Sequence, residues 1–218
     1  MESKEKKKSR AQKILLELKK NYPRQPNLFL NHSNDAQMLC AIMLSAQSTD
    51  TQINKVTKRL FEKYKTIDYF ASAKQRIFEK EIFSSGFYKN KAKNIIATFK
   101  KIKNEFNGSI PLTMSELISL PGIGRKTANL VLLNKGIISG IAVDVHVFRL
   151  SKRFGLTTSK TPNKVEQDLI AIYQKTDWQF VNKLFIVHGR AVCTARNPNC
   201  VSCFLNKKNL CTRVGVQK

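Results

Sequence analysis

The sequence is poor in acidic residues and contains no long apolar run. Of its 218 residues, 15 are Asp or Glu and 39 are Lys or Arg, so the formal net charge is +24. No apolar stretch approaches the roughly 18 residues that cross a bilayer, and residues 1–10 lack the apolar segment of a secretory signal. We therefore expect neither a membrane-spanning nor a secreted protein. A hydrophobic content of 42% excludes a disordered chain.

The excess of positive charge has two explanations. It exceeds what solubility requires, which favours a polyanionic partner such as a nucleic acid. Biased codon usage is the alternative, because Lys far outnumbers Arg and both Asn and Ile are plentiful. A nucleic-acid-binding protein needs a concentrated basic stripe, whereas codon bias spreads lysines evenly. Charge alone does not decide between them.

Four of the five cysteines lie close together near the C-terminus. They have the spacing Cys193-x6-Cys200-x2-Cys203-x7-Cys211, whereas Cys40 stands inside an apolar run and is predicted to be a core residue. In a chain without a secretory signal, such clustering favours a metal site with thiolate ligands over disulfides. Spacing alone does not separate zinc from an iron–sulfur cluster.

The hydrophobic periodicity predicts an all-α fold. Apolar residues recur at helical spacing in residues 11–22, 38–46, 92–106, 165–173 and 180–185. Residues 141–147 alternate as a strand would, but a lone strand has no pairing partner. We therefore interpret Asp144 as the N-cap of a helix that runs toward Arg153 and ends near Gly155. The sequence contains no internal repeat and no long linker.

The most informative pattern is TMSELISLPGIGRKTANLVLLN at residues 113–134. Thr113 and Glu116 have the spacing of a capping box, which predicts a short helix that ends at Leu120. Pro121 breaks this helix.

A tight turn and a second helix follow. Gly122 and Gly124 permit the turn, and the second helix is predicted to start near Arg125. Its first N–H groups and positive dipole end would bind a phosphate through the backbone, without reading bases. A turn of this kind could also do no more than connect two helices.

This hairpin and three further motifs together resemble one known family. The motifs are VDVH at residues 143–146, HGR at residues 188–190, and the spacing of the first three clustered cysteines. With them the chain is similar to the endonuclease III family of the helix-hairpin-helix DNA glycosylases. The resemblance covers almost the whole chain.

The resemblance implies an all-α, helix-hairpin-helix DNA glycosylase fold with two domains. A six-helix domain that contains the hairpin would span residues 28–138. Both chain ends, residues 1–27 and 139–218, would form an iron–sulfur cluster domain. A cleft between the two domains would hold bent DNA.

The implied activity is that of a bifunctional DNA glycosylase and AP lyase of base excision repair, which removes oxidised pyrimidines. Lys126 would attack C1′ and form a Schiff base, and β-elimination would break the strand 3′ to the abasic site. This agrees with physical chemistry, because an amine is nucleophilic only when deprotonated and the positive end of a helix disfavours the ammonium form. Asp144 would relay a proton, stabilise positive charge on the sugar, or serve only as a helix cap.

The resemblance also assigns DNA contacts. Gln47 and Phe87 would fill the hole that an extruded nucleotide leaves in the duplex, with a core position as the alternative for Phe87. The other predicted DNA-binding residues are Gly122, Ile123, Gly124, Arg125 and His146.

The four clustered cysteines would hold a [4Fe–4S] cluster, with Cys193, Cys200, Cys203 and Cys211 as ligands. The family commonly has five residues before the last ligand, whereas residues 204–210 make a gap of seven. Two added residues in a surface loop cost little closure entropy, so the cluster is still expected. Its role would be structural.

The implied partner is double-stranded DNA that contains damaged bases or abasic sites. We expect a monomer without membrane association, located with the nucleoid in a bacterial cytoplasm. Two alternatives stay open on the sequence. A helix-hairpin-helix protein that only binds DNA would not need Asp144, and a monofunctional mismatch glycosylase usually lacks the nucleophilic lysine.

Overall fold

A computed structural model of the chain describes residues 2–23 and 30–216. Regular structure in these residues is helical throughout, which confirms the predicted all-α class. The α-helices are α1 (Lys4–Asn21), α2 (Asp35–Ser45), α3 (Asp50–Lys63), α4 (Ile67–Ala71), α5 (Gln75–Glu81), α6 (Tyr88–Glu105), α7 (Met114–Ile118), α8 (Arg125–Asn134), α9 (Val145–Arg153), α10 (Pro162–Ile172), α11 (Trp178–Ala191) and α12 (Phe204–Lys207). Two short 3-10 helices span Phe83–Ser85 and Lys175–Asp177. None of the described helices has both the length and the apolar character that a lipid bilayer requires.

The chain divides into two compact units. We call Asn27–Ile137 the hairpin unit, and Met1–Pro26 together with Ile138–Lys218 the terminal unit. The terminal unit is therefore assembled from both ends of the chain. The predicted boundary between residues 27 and 28 lies outside the described residues, and the predicted domain limits stay a prediction.

The hairpin unit is built around α2 and α6. Helix α2 is buried on all sides from Ala36 to Leu44, and Cys40 is inaccessible, which confirms its predicted core position. Helix α6 packs against α4, where Phe99 stacks on Phe70 with ring centroids 4.5 Å apart. Helix α6 is therefore anchored in the core and can carry polar side chains toward the neighbouring turns.

The terminal unit has its own core. Helix α1 packs against α10 and α11. Its buried face consists of Ala11, Ile14, Leu15 and Leu18. Arg10 of α1 donates from Nη1 to the carbonyl oxygens of Phe154 (2.5 Å) and Leu210 (3.0 Å). These bonds fix the first helix of the chain to two loops that are distant in sequence.

The strand-like segment 141–147 contains a helix start. Asp144 is the N-cap of α9, which ends at Arg153, so the predicted helix is confirmed. Ile141 and Val143 precede the cap and are buried in the core of the terminal unit. The alternating pattern therefore reflects burial of β-branched side chains before a helix.

Candidate DNA-binding and cysteine sites

The predicted hairpin is present as α7, a turn and α8. The hydroxyl of Thr113 accepts a bond from the backbone N–H of Glu116 at 3.3 Å and donates to its carboxylate at 2.6 Å. Helix α7 ends at Ile118, two residues earlier than the predicted Leu120, because a tighter turn closes on the N–H of Leu120. Helix α8 starts at Arg125, as predicted.

Helix α6 holds the turn between the two helices. The hydroxyl of Thr98 donates to the carbonyl of Pro121 at 2.6 Å, and Lys101 Nζ donates to the carbonyl of Ser119 at 3.1 Å. Gly122 has a φ of 74°, and a Cβ there would lie 2.7 Å from Cβ of Asn94. Both the backbone conformation and this close approach therefore require glycine.

The start of α8 meets the requirements of an anion site. Gly124 is its N-cap, and no side chain caps the helix. Lys126 is the second helical residue and has an exposed side chain, whereas Arg125 is half-buried. Ile123 is 4% exposed and its side chain belongs to the core. A DNA contact by Ile123 would therefore involve only its backbone.

Gln47, Phe87 and Gly122 line one cavity of about 280 Å³ in the hairpin unit. The other lining residues are Met43, Ala46, Asn90, Lys91, Asn94 and Ile95. Gln47 and Phe87 are exposed and both have left-handed backbone, with φ of 55° and 49°. Since Phe87 is 67% exposed, the alternative of a core position for it is wrong.

Sequence analysis missed the polar residues of α6 that face this cavity, Asn90, Lys91 and Asn94. One signal was available for Lys91, which precedes the buried Ile95 by four residues and so shares its side of the helix. A lysine is seldom buried, so this register alone did not suggest a role.

Asp144 and His146 lie together at the start of α9 in the terminal unit. Asp144 Oδ1 accepts hydrogen bonds from the backbone N–H groups of His146 and Val147, each at 2.8 Å. These bonds hold the carboxylate in one orientation at the positive end of the helix.

The imidazole of His146 is packed closely against its neighbours. Burial lowers the pKa of His146, and the charges of Arg149 and Arg190 add to this effect, while the Asp144 carboxylate opposes it. Arg149 Nη2 lies 3.1 Å from His146 Nδ1, and because a guanidinium can only donate, Nδ1 is the acceptor. A Cβ on Gly189 would lie 2.8 Å from the same Nδ1, which explains the glycine of the HGR motif.

The four clustered cysteines line one pocket in the terminal unit, including Cys211 after the longer gap. All are free thiols. The longer gap is accommodated by α12 and by a left-handed Asn209, after which the N–H of Leu210 bonds to the carbonyl of Leu205 at 2.9 Å. The sequence spacing therefore identified four side chains that the fold brings together.

Two side chains contact the sulfur atoms, the guanidinium of Arg153 and the imidazole of His188. Sequence analysis did not assign either of them to the cysteine site. Arg153 Nη1 donates to Cys193 Sγ at 3.2 Å. His188 Nε2 lies 3.5 Å from Cys203 Sγ, and its Nδ1 lies 2.9 Å from the hydroxyl of Tyr22. Burial lowers the pKa of His188 to about 4, so the ring is neutral at physiological pH. With the tyrosine hydroxyl donating to Nδ1, the proton on Nε2 points to the sulfur.

Cys193 and Cys203 are buried, whereas Cys200 and Cys211 are partly exposed. Burial raises the pKa of Cys193, although the hydrogen bond and charge of Arg153 act in the opposite direction. Burial also raises the pKa of Cys211 to about 11. Among the described residues, no group of three or more His, Cys, Asp or Glu side chains could hold a single metal ion. The four thiols line one shared pocket.

Comparison with known proteins gives consistent matches. Residues 40–175 match the HhH-GPD superfamily of base excision DNA repair proteins. Endonuclease III of Synechocystis sp. is 46% identical over 200 residues, which cover 91% of each chain. Endonuclease III of Bacillus subtilis is 41% identical over 175 residues, 80% of each chain.

Two solved structures are similar over nearly the full length. A non-covalent endonuclease III–DNA complex has a TM-score of 0.88 and 39% identity, covering 98% of this chain and 97% of that chain. A trapped covalent endonuclease III–DNA intermediate, with an estranged adenine, has a TM-score of 0.89 at the same identity and coverage.

Proposed function

Since the chain belongs to the endonuclease III family and is a base excision repair DNA glycosylase and lyase, we propose that Lys126 is its nucleophile and Asp144 its assisting carboxylate. The Nζ of Lys126 attacks C1′ of an oxidised pyrimidine nucleotide, and the bond from C1′ to the base breaks. The bond from C1′ to the ring oxygen then opens, with a proton going to that oxygen, and this gives the Schiff base. Loss of a proton from C2′ expels the 3′ phosphate, and this β-elimination breaks the strand 3′ to the abasic site.

The position of Lys126 carries this proposal. Its side chain is exposed at the first turn of α8, two residues after the N-cap Gly124, which makes no side-chain capping bond. A DNA phosphate bound at Gly122–Gly124 would bring the adjoining sugar within reach of the lysine amine. The turn itself makes no base contact, so affinity and chemistry are separated along α8.

Asp144 assists through an oriented carboxylate. Both capping bonds go to Oδ1, which leaves Oδ2 on the same rigid group to accept a proton from Lys126 or to stabilise positive charge on the sugar. The capping role and the catalytic role are compatible, because they use different oxygen atoms. His146, the second residue of α9, belongs to the proposed DNA-binding surface.

Gln47 and Phe87 are proposed to fill the hole in the duplex. Both are exposed and both line the same cavity, so the two side chains project from neighbouring positions of one unit. Replacing the stacking that an extruded nucleotide loses is worth a few kcal/mol. The flat apolar ring of Phe87 is suited to this insertion.

The four thiols of the terminal unit are proposed to hold a [4Fe–4S] cluster. A single zinc ion needs four ligands at about 2.3 Å from one point, whereas a four-iron cluster has its ligands spread around a larger body. Cys193, Cys200, Cys203 and Cys211 line one pocket and so supply the four thiolates that such a cluster needs. The bound cluster would cross-link the C-terminal loop, and the proposed reaction contains no redox step.

The proposed partner is double-stranded DNA with damaged bases or abasic sites, bound by one copy of the chain. The +24 charge favours association with DNA, and a location at the bacterial nucleoid without membrane association is part of the proposal. The bacterial relatives and the solved endonuclease III–DNA complex support binding of DNA.

Trapping with borohydride tests the nucleophile. Wild-type protein with a duplex that contains an abasic site should give an irreversible protein–DNA adduct, and Lys126→Ala should give none while it retains DNA affinity. Asp144→Asn should slow adduct formation by more than it weakens binding. Lys164→Ala, an exposed lysine on α10, is the matched control and should behave as wild type.

An undiminished adduct in Lys126→Ala would show that another amine is the nucleophile. No adduct from the wild type would favour a monofunctional glycosylase, or a hairpin protein that only binds DNA.

A further inference from the structure

The amine of Lys91 is buried between the two segments that carry Gln47 and Phe87. Lys91 is 9% exposed. Its Nζ donates to the carbonyl oxygens of Leu44 and Ser85, each at 2.7 Å, and lies 3.5 Å from Ser48 Oγ. One ammonium group therefore contacts oxygens of both segments.

These partners flank the two exposed side chains in the sequence. Leu44 precedes Gln47 by three residues and Ser48 follows it, while Ser85 precedes Phe87 by two. The hydroxyl of Ser48 also donates to the carbonyl of Ser85. The two segments are therefore joined by one direct hydrogen bond, between Ser48 and Ser85. They are also joined through Lys91, which binds both of them.

A second contact supports the same connection. Gln52 Nε2 donates to the carbonyl of Ser84 at 3.1 Å, so α3 also holds the 3-10 turn before Phe87. This bond is exposed and made by a neutral amide. The contacts of Lys91 are the buried, charge-assisted ones and should dominate.

The burial of Lys91 has an energetic cost that its contacts offset. Removal from water lowers the pKa of Lys91. The Ser85 side of the contact is also dry, because Ser85 is 1% exposed. Replacing Lys91 with an apolar residue would leave the buried carbonyl of Ser85 with fewer donors.

Both segments adopt a backbone that needs support. Gln47 and Phe87 have φ of 55° and 49° without being glycine. A left-handed conformation of this kind costs about 1–3 kcal/mol and persists only where the surroundings enforce it. The bonds of Lys91 to Leu44 and Ser85 act within three residues of each strained position.

We propose that Lys91 is a positioning residue that couples the segments of Gln47 and Phe87, so that the two side chains enter the duplex as one unit. The proposal rests on the gap-filling role proposed above. Lys91 acts through the two backbones and makes no contact with the DNA. Its loss should reduce the preference for DNA with a hole and spare binding to intact duplex.

The test is the ratio of two dissociation constants, for a duplex with a stable abasic analogue and for the intact duplex at the same salt concentration. Lys91→Met should lower this preference about tenfold, the usual effect of losing a buried hydrogen-bonding group, with intact-duplex binding unchanged. Lys93→Met, an exposed lysine on α6, is the matched control. A purely structural role would lower the melting temperature and change both constants equally, which would overturn the proposal.

A double-mutant cycle measures the coupling itself. In the Lys91 protein, Gln47→Ala and Phe87→Ala should lose less preference together than the sum of the single effects, and in the Lys91→Met background their effects should become additive. Additive effects with Lys91 present would overturn the coupling.

The same variants distinguish failure of the gap-filling role from failure of the positioning role. If the alanine variants keep the lesion preference, the gap-filling role is wrong. If they lose it and Lys91→Met does not, only the positioning role is wrong.

Should Lys91→Met fail to fold, Ser48→Ala removes the hydroxyl that bridges Lys91 and Ser85 and should lower the same ratio by a smaller factor. An unchanged ratio in a folded Ser48→Ala would then reject the coupling.

Discussion

The two units fasten their irregular segments with different side chains. In the hairpin unit, α6 supplies separate donors, with Thr98 holding Pro121 and Lys101 holding Ser119. Lys91 of the same helix binds oxygens that converge from two segments.

In the terminal unit, guanidinium groups bind the carbonyl oxygens of the irregular segments. Arg153 donates to the carbonyls of Thr194 at 2.6 Å and Ala195 at 2.8 Å in addition to Cys193 Sγ. Arg149 binds the carbonyls of Gly189 and Cys193, and Arg10 binds those of Phe154 and Leu210.

The difference follows from the shapes of the two cations. An ammonium is a compact charge with three donors, so it suits oxygens that approach one point from different segments. A guanidinium is a planar fork, and that of Arg153 spans the successive carbonyls of Thr194 and Ala195. Some of the positively charged side chains therefore stabilise the fold. This role contributes to the net charge of +24 and is separate from both DNA binding and codon usage.

The largest expected effect is on the arginine side of this comparison. Arg153→Lys should destabilise the terminal unit by about 2–3 kcal/mol, because one amine cannot occupy the positions of both Nη1, which contacts Thr194 and Cys193, and Nη2, which contacts Ala195. The proposed cluster should be lost with it. Wild-type protein purified anaerobically should be brown with about four irons per chain, and the variant should contain far less.

Iron content and thermal unfolding check this prediction together. Arg196→Lys, an exposed arginine in the same loop, should retain both iron and stability. A colourless wild type loaded with zinc contradicts the cluster. An Arg153→Lys protein with normal iron and melting temperature shows that the fork is not needed.

Local sequence signals were sufficient for much of the molecule. Asp144 as a helix cap, Thr113 with Glu116, the start of α8 at Arg125 and the burial of Cys40 all follow from neighbouring residues. The assembly of the four cysteines in one pocket also agrees with their spacing.

The remaining features depend on contacts between segments that are distant in sequence. Lys91 meets Leu44 across 47 positions, and His188 meets Tyr22 across 166. The left-handed backbone of Gln47 and Phe87 has no glycine to signal it. Such features are set by tertiary packing, and neither periodicity nor motif spacing contains them.

The second-largest expected effect is on stability and concerns the two glycines of the hairpin, Gly122 and Gly124. Gly122→Ala should lower stability by about 2 kcal/mol, because Ala at positive φ is strained and its Cβ meets Asn94 at 2.7 Å. Gly124→Ala is the matched control, since its φ is −92° and no atom lies within 4 Å of the added Cβ. Chemical denaturation of both variants measures the difference, and equal stabilities would show that the turn relaxes around Asn94.

The smallest effect concerns the strain that the segments near Lys91 withstand. Gln47→Gly and Gln47→Ala both remove the proposed gap filler, but only glycine relieves the left-handed backbone. The glycine variant should therefore be more stable than the alanine variant by up to about 1 kcal/mol, after the larger entropy of its unfolded chain is included. Both should lose lesion preference equally.

Asn209 is the counterpart in the terminal unit, with a φ of 54°. Asparagine adopts this conformation at lower cost than glutamine, so Asn209→Gly should gain less stability over the wild type than Gln47→Gly gains. Thermal unfolding of the wild type and the variants provides these differences. If the Gln47→Gly and Gln47→Ala variants are equally stable, the backbone at Gln47 is not strained. The contacts of Lys91 then position Gln47 without opposing any strain. If the lesion preference differs between the two Gln47 variants, the backbone conformation itself contributes to filling the hole.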